Sequence, residues 1–364
     1  MKMPVFVAMV AAAVAAGQSP HLSGFSQLTH GGQNAEAYWS PDGKRLIFQT
    51  TRPPYDCDQM FIMNADGTDQ HLVSTGKGRT TCGYFLPDNK HIVYGSTHLA
   101  GDACPTAPDR SKGYVWGVFA GYDIFEATDT GKIEKRLTDA PGYDAEATVN
   151  YKTGTIVYTS LASGDLDLWT MKADGSAKKQ ITKSPGYDGG AVFSRDGKQL
   201  VSGAADKFVK QFDVETGKLI RSFEGHTHHV LDVSWKADGS RIASAGADNA
   251  IKIWNVETGE QHRTIQNYTK QVTSIQFIGA SDNIISGGGD KTVKMHRAND
   301  GGNTRNFAGP TDFVYATACT RDEAIVVAGG EDGIFRVWNG TNAQELFKFE
   351  PPKPPVDNVQ AKVN

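Results

Sequence analysis

Short runs that alternate apolar and polar residues recur along the chain, as half-buried strands require. Val230-Leu231-Asp232-Val233-Ser234-Trp235 is one such run. Ala237-Asp238-Gly239 follows as a turn, because Asp bonds its own backbone and Gly accepts positive φ. Arg241 to Ser244 is a second run, Gly246 to Asn249 a tight turn, and Ala250 to Trp254 a third run. The turn after each first strand recurs with its third residue at Asp42, Asp88, Thr153, Asp196, Asp238, Asp282 and Asp322. That is seven units at the spacing of about 40–45 residues that marks propeller blades. The pattern predicts an all-β fold, a seven-bladed β-propeller with four-stranded antiparallel blades, over residues 21–352. The blades fall near 34–78, 79–141, 142–186, 187–227, 228–269, 270–311 and 312–352. The long interval between Asp88 and Thr153 is an insertion in blade 2, after its second strand at His91–Ser96.

The repeats come in two dialects. In blades 5 to 7, Gly225-His226 opens a unit and Ile253-Trp254-Asn255 closes it, with turns SAGAD, SGGGD and AGGED. These blades resemble WD repeats. The resemblance implies a buried relay in which His226 bonds Asp248, with Ser244 and Trp254 completing it. Blades 1 to 3 carry WSPDG, third strands ending in ADG, and the phrases LVSTGKG, RLTDAPGYD and QITKSPGYD. They resemble the TolB-like propeller repeat of exported bacterial proteins. The dialect changes inside blade 4, near residues 191–206, so the chain reads as a hybrid of two propeller families, natural or engineered.

Residues 1–17 read as a secretory signal, with Lys2 ahead of an apolar run and Val14-Ala15-Ala16 as small residues for cleavage. A periplasmic or secreted protein follows, with no membrane span once the signal is removed. Gly24–His30 and Gln344–Phe349 both look like outer strands, and either would complete blade 7. The proline-rich residues 353–364 are expected to be a disordered tail.

The 364 residues carry a net charge of −4 and no long basic run, which argues against a nucleic-acid partner. Four cysteines in an exported chain raise the question of disulfides. Cys57, Cys82 and Cys104 lie close enough in the repeat for two of them to pair, while Cys319 reads as a small core residue. No cysteine spacing fits zinc or covalent haem, and no cofactor is expected. The nucleophile elbow and the phosphate-binding glycine loops are absent, so no enzyme is expected.

Two places remain for chemistry. Arg110, Lys112, Tyr114, Trp116 and Phe119 in the blade 2 insertion have the composition of an interface centre. Glu36, Asp144, Glu146 and Asp188 recur near the starts of first strands and are weak candidates for a divalent cation. His228 and His229 alternate in and out beside the committed His226, which disfavours a histidine metal site. The expected role is an exported, monomeric, non-catalytic scaffold for a protein or cell-envelope partner. The alternatives are a metal-dependent, lactonase-like hydrolase using the channel carboxylates, and a recombined propeller with no evolved function.

Overall fold

The computed structural model describes residues 28–106, 108–109 and 117–350. These residues form seven four-stranded antiparallel sheets arranged as a seven-bladed β-propeller. Each sheet takes its four strands in chain order, so neighbouring strands are joined by short turns and the first strand of each blade is innermost. The inner strands are Gln33–Trp39, Thr80–Phe85, Asp144–Val149, Asp188–Phe193, Val230–Trp235, Val272–Phe277 and Val314–Cys319. This order puts the loops between second and third strands on the same face as the loops between blades.

The core lies between blades, because each sheet is apolar on both faces and must bury both against its neighbours. Ile47, Met60 and Ile62 of blade 1 meet Phe85, Ile92 and Tyr94 of blade 2. Between blades 4 and 5, Val201, Val209 and Phe223 meet Val230, Val233 and Trp254. Similar clusters join blades 2 with 3, 3 with 4, 5 with 6 and 6 with 7.

Outer strands add a staple at each of six joints. One side chain reaches a backbone carbonyl in the third-to-fourth-strand turn of the next blade. His71 Nε2 bonds Asp129 O at 3.0 Å, Lys179 Nζ donates to Glu215 O at 2.6 Å, and Arg221 donates to Glu257 O and Thr258 O at 3.1 and 3.0 Å. Lys135 donates to Asp174 O, Arg263 to Asn299 O and Arg305 to Thr341 O. The equivalent position in blade 7 is Phe347, opposite Val337. Each staple satisfies an otherwise orphaned carbonyl at the rim.

The fourth strand of blade 7 is Glu345–Phe349, paired to Phe335–Asn339. Leu28 to His30 form no strand, and Leu28 instead packs on blade 1 beside Phe48 and Phe61. The outer-strand reading of Gly24–His30 therefore does not hold for its described residues, and Gly24 to Gln27 lie outside them. The signal reading of residues 1–17 and the tail at 353–364 also lie outside the described residues.

Candidate functional site

Blades 1 to 4 share a kink in their inner strands. Two residues of the inner strand oppose one on the second strand: Glu36-Ala37, Cys82-Gly83, Glu146-Ala147 and Gly190-Ala191. The first residue of each pair has positive φ, at +52°, +50°, +59° and +59°. Such bulges bend a strand and re-aim its side chains. Only Gly190 is a residue that adopts this conformation without cost. In blades 5 to 7 the irregularity is one residue earlier, at Leu231, Thr273 and Tyr315, with no positive φ.

The bulges open a cavity of about 260 Å³ in the channel wall, lined by Glu36, Tyr38, Cys82, Tyr84, Glu146 and Tyr187 among others. Tyr38 donates to Glu36 Oε2 at 2.5 Å. Glu146 Oε2 accepts from Thr159 at 2.8 Å and Tyr187 at 2.7 Å, and its Oε1 accepts from Tyr143 at 3.1 Å. The rings of Tyr38 and Tyr84 stack with centroids 4.1 Å apart. Burial, then the Glu36 carboxylate, pushes the Cys82 thiol well above its ordinary pKa. Burial likewise raises Tyr38, Tyr84 and Tyr187, with Glu36 adding to the first two and Glu146 to the last. All three phenols therefore stay protonated, and Tyr38 and Tyr187 donate to the carboxylates. A thiol held protonated by burial and by two neighbouring negative charges is a poor nucleophile.

The four candidate carboxylates part company here. Glu36 and Glu146 line the cavity, but Asp144 and Asp188 are buried within their blades. Burial raises Asp144 against hydrogen bonds from Ser160 and Thr138, and pushes Asp188 up to about 6 against the charge of Lys210. No group of three His, Cys, Asp or Glu side chains placed to hold a metal ion occurs among the described residues.

The blade 2 insertion is tied down at its start. Cys57 and Cys104 are joined by a disulfide with Cα atoms 6.0 Å apart. Cys82 is free, because its place on the bulge turns it toward the channel and away from the two loops that carry Cys57 and Cys104. Arg110, Lys112, Tyr114 and Trp116 lie outside the described residues. Phe119 is half-buried, with the Arg79 guanidinium 5.5 Å from its ring centre and Tyr122 against it. It thus packs on the scaffold instead of projecting from it. Cys319 is half-buried at the end of its inner strand. His228 and His229 are exposed and lie against each other with their rings tilted by 55°.

In blade 5 the His226 Nδ1–H faces both oxygens of Asp248 at 2.9 Å. Nε2 is then left to accept from Ser244 Oγ at 2.8 Å, and Ser244 Oγ accepts from Trp254 Nε1 at 2.8 Å. Burial lowers the His226 pKa, so the ring is neutral and can play both parts. Blade 6 keeps the plan with other residues: Tyr268 bonds Ser286 at 2.7 Å, and His296 stands where blade 5 has Trp254. Burial drives the His296 pKa down to about 4. In blade 7 an Arg336–Asp332 ion pair at 2.8 Å takes over, and Trp338 donates to Ala308 O.

Residues 189–213, 217–255, 259–297 and 301–339 match the family described as WD domain, G-beta repeat. Each of the last three matches runs from the outer strand of one blade through the third strand of the next. Fold and matches together define the class: a seven-bladed β-propeller whose C-terminal half carries WD repeats. A search of curated proteins finds no match to the chain.

Proposed function

We propose that the chain is an exported, monomeric, non-catalytic scaffold that docks a protein partner on the face carrying its blade-to-blade loops. The observation that carries this reading is the apolar surface left uncovered there. Leu231 is 45% exposed and Tyr315 51% exposed at the starts of their inner strands, and Leu99 is 58% exposed in the insertion. The opposite face also exposes Trp39, at 52%, and Tyr151. The face of the blade-to-blade loops differs in carrying the long blade 2 insertion beside its exposed apolar groups, and such loops on a rigid scaffold are where partners dock. WD-type propellers serve as protein-interaction scaffolds, which agrees with this use of the face. The Cys57–Cys104 disulfide and the apolar N-terminal stretch support an oxidising compartment outside the cytoplasm.

A photo-crosslinker placed at Leu231 or Leu99 should trap a partner in the native host. The same probe at Tyr151, on the opposite face, should not. Adducts from Tyr151 alone would reverse the assignment of the docking face. Fractionation of the host should place the chain outside the cytoplasm with its disulfide formed.

The hybrid reading is favoured by a specific observation. Blade 4 has the bulge of blades 1 to 3, with Gly190 at positive φ, but the long outer strand Leu219–Phe223 of blades 5 to 7. A related sequence carrying one bulge type through all seven blades, with the same outer strands, would remove that support.

A further inference from the structure

The cavity between blades 1 to 4 has a chemistry that a scaffolding face does not use. Two carboxylates, Glu36 at the exposed mouth and Glu146 further in, line one cavity, and both act on the same thiol, Cys82. Among the described residues no lysine, arginine or histidine lines the cavity. Among the described residues the two carboxylates accept from hydroxyls: Tyr38 for Glu36, and Tyr143, Thr159 and Tyr187 for Glu146. Hydroxyl donors hold the carboxylates in place but leave their negative charge uncompensated. Asp206 and Asp332, by contrast, each meet a cation, Lys210 and Arg336.

We propose that this cavity binds an alkylammonium group, with Glu36 and Glu146 as counter-charges and the rings of Tyr38, Tyr84 and Tyr187 as its wall. The negative faces of aromatic rings attract a cation, most strongly where water is excluded. A concave, single-sign wall also concentrates ions of the opposite sign. The shape selects among cations. At about 260 Å³ the cavity falls short of the ~300–1,000 Å³ of drug-sized sites, so it takes a side-chain-sized group. A hard divalent ion wants six or more oxygens, and the described residues offer no metal-holding set. Anions are repelled by the same two charges. The bulges are what bring this about, since each turns its first residue into the channel.

The ammonium could come from a free diamine or from a lysine side chain of a bound peptide. Calorimetry with 1,4-diaminobutane, with a short lysine peptide and with the same peptide Nε-acetylated separates these sources. Binding by the diamine alone assigns a free amine, and binding by the lysine peptide but not its acetylated form assigns a peptide side chain. Glu36→Gln and Glu146→Gln should each weaken the bound probe about tenfold or more. Both variants should keep the wild-type circular dichroism, because the glutamine amide oxygen can accept from Tyr38 at position 36, or from Thr159 and Tyr187 at position 146, where the amide NH2 then donates to the Tyr143 hydroxyl. Failure of both charged probes at millimolar concentration would overturn the proposal. Equal binding by the acetylated peptide, or affinity unchanged in both variants, would also overturn it. None of these outcomes depends on the docking face at Leu231, so the two readings stand or fall separately.

Discussion

The two halves of the ring join their blades by different means. Between blades 5, 6 and 7 the inner strands are laced by side chains. The N–H groups of Ile275 and Phe277 donate to Asp232 Oδ2 and Ser234 Oγ at 2.8 and 3.0 Å. Those of Thr317 and Cys319 donate to Ser274 Oγ and Gln276 Oε1 at 3.1 and 2.9 Å. Among blades 1 to 4 the backbone does this work higher up. The N–H groups of Thr80, Asp144 and Asp188 donate to the carbonyls of Asp58, Tyr122 and Leu166 in the preceding blade. Asp232 and Ser274 occupy the position that Glu36, Cys82 and Glu146 occupy in the first half. Lacing spends that side chain on the neighbouring strand, whereas a bulge frees it for the channel. One half therefore gains a continuous wall, and the other gains a cavity. The rim staples run through both halves alike, so the outer edge is indifferent to what the inner strand does.

The largest test of this contrast is the buried relay of the laced half. Trp254→Ala should cost about 3–5 kcal/mol, because it empties a site packed against Phe223 and leaves Ser244 Oγ without a donor. Denaturant midpoints would measure it. In the bulged half, replacing Cys57 and Cys104 by serine should cost about 2–4 kcal/mol by freeing the unfolded chain, read from the thermal midpoint with and without reductant.

The sharpest comparison makes one substitution at equivalent positions. Asp232→Gly strands the N–H of Ile275 and should cost about 1–3 kcal/mol. Glu36→Gly relieves a positive φ and should stay within about 1 kcal/mol of wild type. Similar losses at both positions would erase the distinction between lacing and bulging.

Two buried groups of the laced half should give stability a pH dependence of opposite sign. Burial pushes Asp232 up to about 7, against the N–H groups of Ile275 and Val233. The folded chain then holds a proton that the unfolded chain has lost, so stability falls as pH rises from about 4 toward 7. His296, lowered by burial to about 4, remains neutral while the unfolded ring takes up a proton. Its contribution is present above about 6.5 and is lost as pH falls toward 4. Asp232→Asn should remove the Asp232 contribution and make the falling-pH loss steeper, and His296→Phe should do the reverse, with the slope from Asp188 common to both variants. Unfolding curves across this range would show which dominates.

Much of this was legible because a blade is built from local hairpins. The turn at Ser40-Pro41-Asp42-Gly43 closes as its residue types require, with Ser40 Oγ on Asp42 and Gly43 at positive φ. The insertion also fell where the spacing placed it, between His91–Ser96 and Asp123–Thr128. The cavity was harder to see. Three of its four bulges put a non-glycine residue at positive φ, which residue type does not announce. A faint signal existed in the small residue that follows each one, at Ala37, Gly83, Ala147 and Ala191. At Gly83 a Cβ would come within 2.3 Å of Met60, so space there is tight.

Sequence alone determined the number of blades and their turns, because both are written in contacts between neighbours in the chain. Only the ring decided that Cys104 and not Cys82 meets Cys57, that Asp144 and Asp188 sink into their blades, and that Glu36 and Glu146 face one cavity. Those outcomes depend on how far each inner strand turns as it packs on the next blade, and that turn is set between sheets.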